Sequence, residues 1–347
     1  MHAFERFSAG ATVALVVCGG CAPTEHRDDR PTVAEAAAAE TVANGLHLNG
    51  LHLNGIHANG IYLNGLHLNG LYLNGLHVNG AALTGAALGG MRADGRPLAG
   101  TDLAGAELHA TASDGTPVTL RIDMVTRAQQ PDVLLYAVSY RAADGLSQPL
   151  CGVDDGAPVK ALALAGTWDE SEGTPTGGAH VDDPDLFTFA CQGYAIAKCV
   201  ELGYAPWRTA TECRAPGECH DLPLAPLHQA CTRMLRADYC GDGTATTRDG
   251  TLVDVWDVVS IQSDDAPNWT FEAEWTPRGA SCVMATRWPT IVDQSAAVAA
   301  YIQHHCPAGW LEPGCGRAGS TFFAANGFDL PASERSLLRT RIDRGPN

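Results

Sequence analysis

A glycine occupies every fifth position from Gly45 through Gly105, and the centres of the pentads are Leu48, Leu53, Ala58, Leu63, Leu68, Leu73, Val78, Leu83, Leu88, Ala93, Leu98 and Leu103. A fixed period of this length constrains the fold before any other feature, because every repeat places the same residue type in the same environment. Glycine, and the Asn that precedes it in the early pentads, tolerate positive φ, so each Asn-Gly pair reads as a corner. The central aliphatic residue then points inward and the residue before it outward. The period is lost after Leu108.

The pentads Ala81-Ala82-Leu83-Thr84-Gly85, Ala86-Ala87-Leu88-Gly89-Gly90 and Thr101-Asp102-Leu103-Ala104-Gly105 resemble those of pentapeptide-repeat proteins, in which four pentads make one square turn of a right-handed β-solenoid. The resemblance implies three coils over residues 46–105, stacked at the β spacing of about 4.8 Å. One departure is the bulky residue two places before the central one, Leu46, Leu51, Ile56, Ile61, Leu66, Leu71 and Leu76, which implies a wider coil or another glycine-cornered solenoid. With four pentads per turn, His47 stacks on His67 and His57 on His77. These columns are candidate imidazole ligands for copper or another divalent ion, although His and Tyr also suit a flat covering face and no acidic or Cys co-ligand lies nearby. Residues 46–90 contain no Asp, Glu, Lys or Arg, so the DNA mimicry that some pentapeptide-repeat proteins achieve with rows of carboxylates is not expected. An uncharged face suits an unknown protein or glycan partner, or packing on the next domain.

Before the repeats, Arg6 precedes an apolar run from Ala9 to Val17, the pattern of a secretory signal over residues 1–21 and too short to span a bilayer as a mature helix. The run leads through Val17-Cys18-Gly19-Gly20 into Cys21, the candidate for lipid attachment; a Cys18/Cys21 redox pair would need a folded strand-helix context that this segment lacks. Residues 22–44, rich in Glu, Asp, Arg and Ala, read as a flexible tether, with a short capping helix at Val33 to Ala43 as the other reading. The expected location is the cell envelope: outer-membrane lipoprotein, periplasm or cell surface, with membrane contact by the lipid anchor only. A formal charge of -17, from 39 acidic against 22 basic residues, disfavours nucleic-acid phosphates as a partner.

Leu224 to Asp257 concentrates the signals of the remaining chain. Leu227, Cys231, Met234 and Leu235 recur at helical spacing; Pro226 suits a first helical turn, and Gly241 with Gly243 is expected to stop the helix. Thr251 to Val259 reads as a strand after the turn Arg248-Asp249-Gly250. The words His228-Gln229-Ala230-Cys231, Ala237-Asp238-Tyr239-Cys240 and Gly241-Asp242-Gly243 resemble the signature of bacterial ADYC-domain proteins, over most of Cys151 to Trp288. That resemblance implies no particular reaction.

Around this stretch, Val118 to Val125 and Val133 to Tyr140 read as paired strands, and Lys160 to Trp168, Phe187 to Cys191 and Phe271 to Thr276 as further strands. Tyr194 to Leu202 and Ala296 to His304 read as helices, and Cys213 with Cys219 as part of a loop. The expected fold is therefore an N-terminal right-handed β-solenoid of pentapeptide-like repeats, residues 45–110, followed by a disulfide-stabilised α+β domain, residues 111–347.

Ten cysteines lie outside the signal region: Cys151, Cys191, Cys199, Cys213, Cys219, Cys231, Cys240, Cys282, Cys306 and Cys315. An even number in an exported chain points to disulfides, whose connectivity spacing alone does not give. Cys213, Cys219 and His220 match no tight zinc template. The sharpest enzymatic candidate pairs His228 with Cys231, three apart on one helix, and lets Asp238 or Asp242 orient the imidazole as in a Cys/His hydrolase. Its structural counterpart is a disulfide at Cys231 and a core hydrogen bond at His228. Asp238, Asp242, Asp249, Asp254 and Asp257 lack EF-hand spacing, and no cofactor motif is present. A structural or binding role leads, with a Cys/His or metal-assisted enzyme and metal binding by the His columns as alternatives.

Overall fold

The computed structural model describes residues 66–73 and 76–343, apart from 93, 112–116, 142–144, 184, 216, 249, 292–296, 307–314 and 316–330. The signal and tether segments (residues 1–21 and 22–44), Cys21, His47 and His57 lie outside the described residues. From the repeats come β1 (Leu66–Leu73), β2 (Leu76–Thr84), β3 (Ala87–Met91), β4 (Pro97–Ala99) and a 3-10 turn (Gly100–Leu103). Next are β5 (Glu107–Thr111), β6 (Pro117–Arg127), β7 (Leu134–Arg141), β8 (Ser147–Pro149), β9 (Val153–Asp154), β10 (Ala157–Pro158), β11 (Ala161–Ala165), β12 (Thr167–Trp168), β13 (His180–Val181) and β14 (Leu186–Cys191). The rest of the chain holds α1 (Ala195–Glu201), β15 (Thr209–Ala215), β16 (Glu218–Pro223), α2 (Ala225–Arg236), β17 (Val253–Asp257), β18 (Thr270–Thr276), β19 (Gly279–Val283), α3 (Val298–His305) and β20 (Leu338–Ile342).

The described repeats do not form a solenoid. A solenoid pairs each pentad in parallel with the one a full coil later, whereas here Leu73 pairs with Leu76, Leu71 with Val78, Thr84 with Ala87 and Met91 with Pro97, all antiparallel. Gly85 and Ala86 serve as a two-residue hairpin loop, the geometry that Gly-X pairs favour. There Gly85 has φ +60, a conformation that a side chain would strain. Where two pentads share one strand, an odd period of five conflicts with the strand period of two. β1 and β2 absorb the conflict with register shifts between Leu68 and Gly70 and between Asn79 and Ala82, both at pentad boundaries. The inward direction of the central residues does hold for Leu88, Leu98 and Leu103, which are fully buried.

What those leucines enter is a ring of six strands in the order β1, β5, β6, β7, β11, β14, every neighbouring pair antiparallel. Two residue pairs, Leu66 with Phe187 and His67 with Leu186, return β14 to β1. β2, β3 and β4 extend from β1, and β8 pairs with β7. Inside the ring, Val118, Leu120 and Ile122 follow strict alternation along β6; a register shift between Ile122 and Met124 then restores Val125 to the inner face and leaves Met124 exposed. Small residues on β11 face large ones on β14, with Ala163 opposite Phe189. Tyr136, fully buried in this core, accepts a hydrogen bond from Leu88 N (2.8 Å) and donates one to Ala86 O (3.1 Å). It therefore ties the β2–β3 hairpin to the ring interior.

The opposite faces of β7, β11 and β14 present Leu135, Leu162, Leu164 and Ala190 to Ile196, Ala197 and Val200 of α1. The other side of α1, with Ala195 and Cys199, belongs to a third core that packs α2 and α3 on the antiparallel sheet β17-β20-β18-β19. Among the described residues, the fold is mostly antiparallel sheet with three short helices and five disulfides rather than an α+β domain hung on a solenoid. The expected strands at 118–125 and 133–140 correspond to β6 and β7. The run at 160–168 is broken at Gly166 into β11 and β12, and the expected Cys213/Cys219 loop is the hairpin β15–β16, in which the two cysteines pair directly.

Candidate functional site

The motif begins where α2 ends. Ala237 adopts the left-handed conformation (φ 50, ψ 41), its N–H bonds Met234 O at 3.0 Å, and Asp238 N bonds Arg233 O at 2.9 Å. This is a Schellman cap with alanine where glycine is usual, a substitution that costs about 1–2 kcal/mol of backbone strain; the methyl is fully buried in the core. The helix thus stops at Ala237, not at the glycines that follow. Gly241 meets a separate steric demand. A Cβ there would overlap the carbonyl of Arg278, so glycine allows the chain to lie against the β18–β19 turn.

Asp238 is fully buried. Its carboxylate pairs with Arg233 Nη1 and accepts the N–H groups of Asp242 (3.1 Å) and Gly243 (3.0 Å). Burial pushes this carboxyl above the usual carboxylate range, with Arg233 and Arg236 pulling the other way. Arg233 also donates to Gly177 O, and Gln229 Nε2 donates to Gly178 O at 2.8 Å. Through these bonds α2 grips the loop that links β12 to β13. Asp242, the other candidate for orienting an imidazole, accepts a hydrogen bond from the hydroxyl of Tyr301 on α3 at 2.5 Å.

Tyr239 lies on the opposite side of the motif, stacked on Trp275 with ring centroids 5.3 Å apart. Its hydroxyl donates to Glu272 Oε1 (2.8 Å) and accepts from Arg287 N (3.1 Å). The Arg287 guanidinium bonds the same Glu272 oxygen through Nε (2.7 Å) and caps the end of α2 through Met234 O (2.6 Å) and Leu235 O (3.1 Å). A cation at this pole satisfies carbonyls that no helical N–H reaches. Cys240 closes the motif with a disulfide to Cys306 at the end of α3. Each of the four residues is therefore committed to joining α2 to its surroundings.

The other candidate residues are placed as follows. Cys231 is bonded to Cys199, so the sulfur that would serve as nucleophile carries no thiolate. His228 is buried, its Nε2 lies 3.0 Å from Ile196 O, and burial pushes its pKa down to about 3. The imidazole is thus neutral and donates to that carbonyl, away from any carboxylate of the motif. The remaining disulfides are Cys151–Cys191, Cys213–Cys219 and Cys282–Cys315. His67 pairs with Thr111 and Leu186, and His77 with Tyr72, in antiparallel register, so the backbone does not set the two in solenoid columns. Among the described residues no group of three or more His, Cys, Asp or Glu is placed to hold a metal ion.

A concave site lies elsewhere, between the outer wall of the ring and α1. This cleft of about 1190 Å³ is lined by Arg127, Gln130, Lys160, Tyr194, Lys198 and Glu201, with the β9–β10 hairpin on one side. Val133, Leu135 and Val200 line it from the core behind. The Cys151–Cys191 disulfide fixes the base of that hairpin to β14. Lys160 Nζ donates to Thr126 Oγ1 at 3.0 Å, while Glu201 accepts from Gln192 Nε2 at 2.9 Å and lies 3.9 Å from Lys198 Nζ. Lys160 and Lys198 are the two lysines of the whole sequence, all other fixed side-chain cations being arginines. Their convergence on one cleft was available as a signal in the sequence only through that scarcity.

No curated protein and no solved structure matches the chain. The family model described as the ADYC domain matches residues 100–289, a span that holds the last pentad, five of the six ring strands, the lining of the cleft and α2 with its cap. With the Ala237–Cys240 motif built into that cap, the chain belongs to the ADYC domain family.

Proposed function

We propose that this chain is an exported, lipid-anchored cell-envelope protein with a binding role, in which the cleft beside α1 receives the ligand and the ADYC motif holds the cleft's supporting helix in place. The observation that carries the binding reading is the cleft itself: an open concavity that combines core aliphatic groups with several polar side chains, the usual composition of a ligand site. Its walls are covalently tied, by Cys151–Cys191 on the hairpin side and by Cys199–Cys231 beneath α1. Five disulfides suit an oxidising, extracellular environment. The apolar run from Ala9 to Val17 ahead of Cys21 supports export and anchoring.

Two experiments test the reading. Metabolic labelling with a fatty acid is expected to mark the protein in the membrane fraction, and Cys21→Ala is expected to remove the label and release the chain; an unlabelled wild-type protein would refute anchoring. A thermal-shift screen of soluble envelope fragments is expected to find a stabilising ligand whose effect is lost in Val159→Trp, a change that narrows the cleft. Equal stabilisation of both proteins would place binding elsewhere.

A further inference from the structure

We infer that the cleft recognises a short peptide carrying a carboxylate side chain, held through Lys160 and Arg127 with aliphatic neighbours against the valine-lined wall. The inference rests on the binding reading above and adds the chemical class of the ligand. The chain carries a formal charge of -17, yet the cleft gathers three cations, Arg127, Lys160 and Lys198, against two carboxylates, Asp154 and Glu201. Glu201 is engaged by Gln192 and lies beside Lys198, which leaves Arg127 and Lys160 against Asp154, an excess of one cation. Among the described residues Lys160 has only the neutral hydroxyl of Thr126 as a side-chain partner, and Arg127, next in sequence to that threonine, bonds the carbonyl of Pro131. Neither forms an ion pair among the described residues. A lysine ammonium offers three rotatable donors on a flexible stem, which suits an incoming anion of variable pose better than the fixed fork of arginine. The placement of both lysines of the chain at this cleft fits that use.

The aliphatic lining decides the class. Val133, Leu135, Val159 and Val200 offer alkyl contact, and Tyr194 is the one aromatic ring lining the cleft. A carboxylated sugar would present hydroxyls to those alkyl groups and leave them unpaired on burial. A peptide with valine or leucine beside glutamate or aspartate matches both components.

The scarcity of lysine also supplies the probe. Biosynthetic 13C-lysine labelling leaves both side chains unaltered and places the label at Lys160 and Lys198 alone in the folded full chain, so side-chain signals report on this cleft, with Lys160→Arg assigning them. The titrants are N-acetyl-Val-Glu-Val-amide, its Gln counterpart and trigalacturonate. The Lys160 signal is expected to shift saturably with the Glu peptide, at least about tenfold more tightly than with the Gln peptide. Arg127→Gln combined with Lys160→Gln, followed by amide signals of the cleft, is expected to erase that preference. Equal affinity for the Glu and Gln peptides would overturn the anion requirement while leaving the cleft a binding site. Tighter binding of trigalacturonate would overturn the peptide assignment, and no response to any titrant would overturn this inference while leaving the binding reading to the thermal-shift screen.

Discussion

The ring of strands and the α2-centred half are held together by different means. In the ring, stability comes from alternation: Val118, Leu120 and Ile122 point in, their neighbours point out, and one buried tyrosine secures the hairpin. Around α2 the interior is charged, with Arg233–Asp238, Arg287–Glu272, Arg335–Glu212 and Arg339–Glu274 paired away from water. Cys213–Cys219, Cys240–Cys306 and Cys282–Cys315 add covalent links there, and Cys199–Cys231 joins α1 to α2. A buried ion pair is a poor source of net stability compared with apolar packing, but removing one partner strands the other. The α2-centred half is therefore intolerant of single changes that the outside of the ring absorbs.

That contrast is testable at its strongest point first. Arg287→Met leaves Glu272 without its cation and the end of α2 without its cap; it is expected to cost about 3–5 kcal/mol in chemical denaturation. Arg121→Met, which breaks the exposed Arg121–Asp123 pair on the ring (3.5 Å), is expected to change stability by less than about 0.5 kcal/mol. Comparable losses in the two variants would remove the distinction. Next in size, Leu120→Ala opens a cavity inside the ring and is expected to cost about 3 kcal/mol; a much smaller loss would mean that the ring interior collapses freely. Tyr136→Phe leaves Ala86 O and Leu88 N without their partner, for an expected loss of about 2 kcal/mol. If the hairpin were held by backbone pairing alone, the change would be near zero.

The most gradual effect appears as a pH slope at the seam between the halves, where His228 on α2 bonds Ile196 of α1. Burial lowers its pKa to about 3, so between the unfolded value near 6.5 and that pH the unfolded chain takes up a proton that the folded chain refuses. Its contribution is complete above pH 6.5 and is lost as pH falls. Relative to His228→Gln, the wild type is expected to lose up to about 1.4 kcal/mol per pH unit across that window. Asp254, whose burial pushes its carboxyl up to about 6, acts in the opposite sense in both proteins and cancels from the comparison. A flat difference would mean that the seam admits a charged imidazole.

The same contrast explains what the amino-acid order made legible. Alternation is local, so β6 and β7 could be read from a dozen residues, as could α2 from its apolar stripe. The pentad glycines were read as positive-φ corners, which holds at Gly85, Gly95, Gly100 and Gly105, none of them preceded by Asn, whereas Gly70 and Gly80 of the Asn-Gly pairs lie within β1 and β2. What they join was misread, because a corner of this kind serves a solenoid coil and an antiparallel hairpin alike, and only long-range pairing separates the two. Buried ion pairs and disulfide connectivity are likewise long-range: nothing near Arg287 names Glu272 or the end of α2 as its partners. The two lysines were legible as a count, while their meeting across the cleft depends on β11 and α1 being brought together.

The closure of the ring has a consequence for the order of assembly. β1 finds β14 about 120 positions away, through Leu66–Phe187 and His67–Leu186, and contacts of that separation form late because loop closure must precede any reward from them. During synthesis, the repeat strands emerge long before their final neighbour exists. In that interval one edge of β1 is an open template for another chain. Hairpin pairing within the repeats gives these early strands local partners while they wait, and the lack of charge along residues 46–90 makes that interim pairing the main protection against intermolecular sheet growth.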